Sequence, residues 1–474
     1  MSLFDFFRRN SNHRPVYDVA GSGRRSFSWS VSNPGPNDFL NNSLDQLRAK
    51  SRDQVRRNVW ASAGIDAFVS NAIGSGIKPQ SLICDDDIRK QIQSLWWIWT
   101  DEADSAGIAD FYGLQSLVCR AMMEGGECFV RLCFRKESDD LSVPLQLQIL
   151  ESEHVPIDKN GVADNGNTIC AGIEFDKKGK RVAYYIFPNH PNDSSSFHDK
   201  TEAVRVPANN ILHIFKPLRP GQVRGEPWLS RALVKLEELD QYDDAELMRK
   251  KTAAMFAGFI TRQNIDDNFM GESEPDSYGI STAGLEPGTL QILEPGEDIK
   301  FSDPADLGNA YSDFMRQQFR AVSAAMGITY EMLTGDLTEV NYSSIRAGLL
   351  EFRRRCEAIQ HSIIIYQLCR PVWNVWMNQV VLSGKINIPD YLENWRNWCL
   401  VKWIPQGWQW VDPQKEFNAM KIAIRSGLMS RSEAIAAFGY DAEDIDREIA
   451  SDNLRADDLG LVFESDPRHD NRYS

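Results

Sequence analysis

Residues 303–363 read DPADLGNAYSDFMRQQFRAVSAAMGITYEMLTGDLTEVNYSSIRAGLLEFRRRCEAIQHSI. Asp303-Pro304 is a helix-start signal, with Asp as N-cap and Pro at the first helical position, where a missing N–H costs nothing. Leu307, Tyr311, Phe314, Met315, Phe319, Val322 and Met326 then recur at spacings of three and four, one face of a helix. Gly327 is a natural stop. From Ile328 to Tyr342 there is no period, and Gly335-Asp336 interrupts the stretch, so a loop is expected. Ser343 or Ser344 can cap a second helix with Ile345, Leu349, Phe352, Cys356, Ile359 and Ile363 on one face. Pro371 falls inside that helix and predicts a kink near Gln367. Two helices meeting at an acidic loop read as a mechanical element rather than a pocket for chemistry.

The chain around this element has 474 residues, enough for roughly three domains. Its net charge is −15. A protein that grips DNA over a large surface normally carries a basic balance, so tight, extended DNA binding is disfavoured. Thirteen Trp suggest broad contact surfaces as well as cores. The eight Cys are scattered, with no Cys-x-x-Cys pair, and read as reduced, buried thiols. Met1 to Asn10 lacks an apolar core segment, so no secretory signal is expected, and no apolar run reaches the ~18 residues of a membrane span.

Taken in order, residues 1–42 read as a flexible arm rich in Ser, Asn, Arg, Gly and Pro. Its arginines at 8, 9, 14, 24 and 25 suit a solvated tail or contact with nucleic acid or an acidic partner. Leu44 to Ile73 reads as one helix, followed by helices over Asp86 to Thr100 and Asp110 to Met123. Cys128 to Phe134, Leu145 to Leu150, Ile169 to Phe175, Val182 to Phe187 and Ile211 to Phe215 are strand-like, with a hairpin turn at Asp176 to Gly179. Residues 43–220 therefore form an α+β unit with a largely antiparallel sheet. After the Gly/Pro-rich 217–227, a helix of about 27 residues carries acids (Glu237, Glu238, Asp240, Asp243, Asp244, Glu246) before bases (Arg249, Lys250, Lys251), which suits its dipole. Residues 258–301 are a small β-rich excursion, with strand-prone pieces at Phe256 to Thr261 and Leu290 to Leu293 and turns at Glu286-Pro287 and Glu294-Pro295. Residues 385–411 hold five Trp, an aromatic core or a subunit interface. Asp412-Pro413 starts another helix that ends at Gly427. Ser430 to Glu433 is a capping box, and a further helix covers Ala442 to Asn453. Residues 456–474 read as a disordered acidic tail.

No phosphate-cradling Gly-x-x-x-x-Gly-Lys-Ser/Thr, His-Glu-x-x-His or Gly-x-Ser-x-Gly motif occurs. His154 sits near Glu151 and Glu153, but strand alternation would put it on the opposite face, so a structural role is favoured. Asp85-Asp86-Asp87 precedes a helix and suits capping better than Mg²⁺. No catalytic residue, metal or cofactor is expected.

The order of segments resembles the portal proteins of tailed phages, in their lambda-type branch. The likeness is carried by Leu212-His213-Ile214-Phe215, Gln222-Val223-Arg224-Gly225, Gly225-Glu226-Pro227-Trp228, Ala324-Ala325-Met326-Gly327-Ile328, Asn341-Tyr342-Ser343-Ser344-Ile345-Arg346 and Trp410-Val411-Asp412-Pro413-Gln414-Lys415-Glu416. It covers roughly residues 43–455. The resemblance implies a portal fold, mainly helical. It has an antiparallel-sheet wing (43–227, with the return 343–411), two stem helices (228–256 and 303–327), a β-rich clip (257–302), a tunnel loop (328–342) and a helical crown (412–455). It implies a ring, usually of twelve copies, at one capsid vertex of the virion, assembled in the host cytoplasm. Double-stranded DNA enters and leaves through such a ring. The implied partners are the terminase large subunit, which supplies the ATPase, the major capsid protein and scaffold, and a head-completion adaptor. Another head–tail connector, or a nucleic-acid-processing enzyme of the packaging machinery, are the alternatives.

On this mapping Glu331, Thr334, Asp336, Thr338, Glu339, Asn341 and Tyr342 would face DNA, and Asp313, Arg316, Arg320, Glu238 and Asp243 would belong to the channel wall. Glu286, Pro287, Glu294 and Pro295 would be clip contacts. Arg353, Arg354 and Arg355 suit either DNA contact or pairing with acids such as Glu351 or a neighbouring subunit, the second being favoured. The loop 328–342 has three acids and no base, so within a Debye length (~8 Å) it would repel phosphates and keep contact weak.

Overall fold

The computed structural model describes residues 33–193, 202–254, 258–262, 297–301, 310–338, 340–408 and 413–463. Most of the expected arm, Leu290 to Leu293, the turns at Glu286-Pro287 and Glu294-Pro295, Asp303-Pro304, Glu339, Trp410 and Asp412 lie outside these residues.

The end of the arm is not free. Helix α1 (Pro36–Asn41) docks through Asn37, which donates to the Gly221 carbonyl at 3.1 Å and accepts from the Val223 amide at 2.9 Å. The helix expected over Leu44 to Ile73 is two helices, α2 (Leu44–Arg57) and α3 (Val59–Ala72). Asn58 separates them in an extended conformation and caps α3 by accepting from the amides of Trp60 and Ala61. A polar cap embedded in a helical period is invisible to a count of apolar positions.

Strand β1 (Lys78–Ser81) leads to α4 (Asp86–Glu102), capped by Asp85, and α5 (Phe111–Gly125), capped by Asp110. The acid run 85–87 thus serves the helix start. The long strand β2 (Glu127–Phe134) lies between β3 (Leu145–Leu150) and β9 (Ile211–Phe215). Between them β4 (Gly161–Val162), β5 (Thr168–Cys170), β6 (Ile173–Phe175), β7 (Arg181–Ile186) and β8 (Val204–Pro207) form a five-stranded sheet in sequence order. The strand expected over Ile169 to Phe175 is a hairpin, because Ala171 and Gly172 both adopt positive φ, at 50° and 78°. All strand pairs among the described residues are antiparallel.

A 3₁₀ turn at Trp228–Arg231 precedes α6 (Leu233–Ala254), so the helix starts at Leu233 rather than directly after Pro227. Strands β10 (Gly258–Arg262) and β11 (Glu297–Phe301) pair with each other. Helix α7 (Ala310–Met326) follows. The expected loop then contains a short helix, α8 (Tyr330–Thr334). Helix α9 (Tyr342–Ile359) runs into a π-helical stretch at Gln360–Cys369 and on into α10 (Arg370–Leu382). Pro371 has no N–H for the Gln367 carbonyl, and the Arg370 amide reaches back five residues to Ile365. The irregularity is therefore a ten-residue wide turn rather than a point kink. Helix α11 (Tyr391–Trp398) and strand β12 (Val401–Ile404) follow, and β12 pairs with β1. Three C-terminal helices end the described chain: α12 (Pro413–Arg425), α13 (Arg431–Ala437) and α14 (Ala442–Leu459). Helix α14 extends into residues expected to be disordered.

One core joins α3–α5 to the segment from α6 to α11. Its centre is Trp96, Trp99, Trp373 and Trp376, each fully buried, with Trp96 and Trp373 ring centroids 4.9 Å apart. The Trp-rich segment 385–411 does not form this centre. Trp398, Trp403 and Trp408 pack against it from outside, while Trp395 is 41% exposed.

A buried ionic cluster ties the sheet to the approach to α6. Glu127 accepts from Arg224 Nε at 2.7 Å, His213 Nε2 at 2.9 Å, the Gly225 amide at 2.8 Å, and Arg48. Arg224 also donates to the carbonyls of Ser152, Val155 and Ala171. Burial would raise the Glu127 carboxyl pKa, but Arg224, Arg48 and His213 outweigh it and hold it well below the usual range. Burial pushes His213 down to about 4. Beside the cluster the backbones of Gly126 and Gly225 almost touch. A Cβ on Gly225 would sit 2.1 Å from the Gly126 carbonyl oxygen.

Replacing Glu127 by Gln keeps the shape but strands two buried guanidinium groups. We expect a loss of about 3–5 kcal/mol in urea unfolding. Both shifts predict acid sensitivity. The depressed Glu127 carboxyl stabilises above its unfolded value and loses this as pH falls. His213, lowered to about 4, stabilises above its unfolded value near ~6.5 and loses this between ~6.5 and 4. The melting temperature should fall from pH 7 to pH 5, and His213→Gln should flatten that slope.

Candidate functional site

Helices α6 and α7 pack side by side. Lys235 donates to Gln318 at 2.5 Å, whereas Asp243, two turns further on, accepts from the Tyr311 hydroxyl, so the helices run antiparallel. Leu236 and Leu239 of α6 and Met315, Phe319, Val322 and Met326 of α7 are buried in the main core. The apolar spacing had marked most of this face. Phe314, expected on it, is 45% exposed and packs against Tyr242 with ring centroids 5.1 Å apart. Trp60 of α3 stacks near Phe319 at 4.6 Å, which anchors the pair to the core.

Of the residues expected along this wall, Glu238, Asp243, Asp313 and Arg320 are exposed, and Arg316 is half-buried. Arg320 lies over the Tyr330 ring at 5.7 Å. Glu246, within the acid run, is buried and pairs with Arg249 at 2.6 Å, so it serves the helix rather than a partner.

Gly327 ends α7 at φ 77°, and Thr329 caps α8. Glu331 and Thr334 are half-buried in α8, and Thr334 donates to the Tyr330 carbonyl. Gly335 then turns the chain at φ 70°. Asp336 holds the turn that follows. It accepts from the Thr338 hydroxyl at 2.6 Å, the Thr338 amide at 3.0 Å and the Tyr330 hydroxyl at 3.1 Å. The Thr338 bonds, then Tyr330, with Arg316 adding, hold the Asp336 carboxyl below its usual range. Asn341 is exposed and caps α9, which Tyr342 begins. The expected loop is thus a built turn, and the half-buried Asp336 is its hydrogen-bond centre. An Asp beside Gly and two residues before Thr was the available signal.

On α9, Arg354 and Arg355 lie 4.0 and 3.7 Å from Glu351, and Arg353 lies over the Trp408 ring at 5.4 Å. The basic run therefore has partners within the chain. Leu212-His213-Ile214-Phe215 and Gln222-Val223-Arg224-Gly225, separate in the sequence, converge on the ionic cluster at Glu127, which no local pattern in the chain announces. His154 lies in a 3₁₀ turn after β3, not on a strand, so alternation does not place it. His190, not His154, meets Glu151 and Glu153, and Arg52 already occupies both carboxylates at 3.3 and 2.5 Å.

A family model described as phage portal protein, lambda family, matches residues 22–360. The chain belongs to the lambda family of phage portal proteins. It is 28% identical to a probable portal protein of Halomonas phage phiHAP-1 over 94% of this chain and 88% of that one. It is 21% identical to portal protein B of Escherichia phage lambda over 93% and 90%. Among solved structures it aligns with a chain in the neck of an empty gene transfer agent particle, at TM-score 0.48 and 16% identity, over 86% of this chain and 95% of that one. A chain in the neck of a native gene transfer agent particle aligns at TM-score 0.46 and 14% identity, over 88% and 98%.

Asp336→Ala removes the acceptor of the Thr338 amide. We expect that amide to lose about 1 kcal/mol of local protection in hydrogen exchange, while amides in the middle of α9 keep theirs.

Proposed function

We propose that the chain forms a closed ring at one capsid vertex, through which a separate terminase drives double-stranded DNA inward and through which the DNA later leaves. The observation that carries this reading is the antiparallel pair α6–α7 leading into a turn whose charged residues are acids. Residues 328–338 contain Glu331 and Asp336 and no base. A moving duplex needs a wall that positions it without binding it, and carboxylates near phosphates supply weak repulsion over ~8 Å.

In this reading α6 and α7 are the stem, and residues 328–342 line the narrowest part of the channel. Residues 257–302, from which β10 and β11 emerge, are the clip that faces terminase and then the adaptor. The sheets and α2–α5, with residues 343–411, form the wing that meets capsid protein and scaffold, and α12–α14 form the crown. Glu331, Thr334, Asp336, Thr338, Glu339, Asn341 and Tyr342 face DNA. The chain supplies no chemistry; the motor is the partner's.

Heads assembled without the chain are expected to take up no DNA, and heads that package without it would overturn the reading. Asp336→Lys with Glu339→Lys should slow or block packaging while rings still form. Unchanged packaging would show that the charge of this turn does not matter.

A further inference from the structure

A cavity of about 540 Å³ opens where the residues after β9, the 3₁₀ turn before α6, the end of α7, α9 and the π-helical stretch meet, with Phe68 of α3 also in its wall. Three cations line it: Lys216, Arg231 and Arg355. They come from three separate stretches of chain, and the cavity has no acidic residue in its lining. Glu226 lines an adjoining smaller recess of about 50 Å³ that shares Lys216 and Arg231 with the cavity, but it forms no ion pair with either among the described residues. Among the described residues no carboxylate lies within ion-pair distance of Lys216 or Arg231, and Arg355 has only exposed Glu351 at 3.7 Å. Lys216 is fixed over the Trp228 ring at 4.6 Å. Burial, then the charges of Arg231 and Arg355, lower its pKa, which reflects the same uncompensated crowding. Like charges held together in this way are costly unless an anion joins them.

The opposite imbalance lies on α6. Asp240 and Asp244 are one turn apart, a repulsive spacing on a helix, and neither has an ion-pair partner among the described residues. Leu247, on the same flank, is 50% exposed.

We propose that the Lys216–Arg231–Arg355 cavity receives the Asp240–Asp244 flank of α6 from a second copy of this chain. A ring built by rotation uses heterologous contacts, in which one face meets a different face of the next copy, so every cavity is filled when the ring closes. DNA fits the cavity less well. A duplex presents its phosphates on a broad convex surface about 20 Å across, roughly twice the width of a single helix, whereas the recess is walled on several sides. The proposal rests on the ring reading above and adds the charge pair that sets the register between neighbours.

The test uses the full chain and charge reversal, read by sedimentation velocity with circular dichroism as a check on folding. Arg231→Glu with Arg355→Glu changes two exposed residues and should lower the ring fraction by at least about tenfold, as should Asp240→Lys with Asp244→Lys alone. All four together should restore rings. Rings unaffected by either pair, or folded single-pair variants that the combination does not rescue, would overturn the assignment and leave the ring reading intact. A pocket-reversed chain that assembles normally but loses DNA retention would also overturn it, making the cavity a phosphate site. Wild-type chain that never forms rings, with scaffold present, would instead contradict the ring reading itself.

Discussion

Glu127 is the constraint on which the arrangement of elements depends. It is a fully buried carboxylate on the central strand β2, satisfied by groups from α2, β9 and the segment before α6. Such a group is stable only when all its partners are in place, since an unpaired buried charge is far costlier than an apolar core of the same volume. It therefore fixes three stretches relative to one another more strictly than hydrophobic packing could. The contact of Gly126 with Gly225 adds a steric limit at the same point, because any side chain there would force the approach to α6 away from the sheet.

From this joint outward the chemistry changes from satisfied to exposed. The cluster at Glu127 has its charges paired inside the fold. Along α6, Glu238, Asp243 and Asp244 are exposed, and in the turn after α7 the half-buried Asp336 keeps its charge while accepting from Thr338 and Tyr330. A turn held by such bonds presents its charge at a defined place. This distinguishes it from a loose acidic loop, whose charge would average over many positions.

Much of the fold was legible in the chain. Strand β3 and strand β9 fall where alternation places them, and the buried face of α7 follows its spacing. The family was legible too, because short motifs recur in a fixed order. The failures share a cause. Asn58 splits a helix without breaking its apolar period, Ala171 adopts a positive φ that its residue type does not announce, and Pro371 is accommodated by a π-helical run. Each is a matter of backbone conformation and hydrogen bonding, which the hydrophobic pattern does not carry. The Glu127 cluster was hidden for another reason: its members are 79, 86 and 97 residues from Glu127 in the chain, and nothing local links them. Likewise the tryptophans of the core are not those that crowd residues 385–411, because burial follows where helices meet and not where a residue type is dense.

Residues 328–342 must line the hole of an assembled ring if the turn at Asp336 is to meet DNA. Electron cryomicroscopy of the purified, assembled chain tests this most directly. The account predicts a closed ring with α6 and α7 along the hole and the Asp336 turn at its narrowest point. A ring whose narrowest wall is formed by another segment, or one in which this turn faces outward, would contradict it.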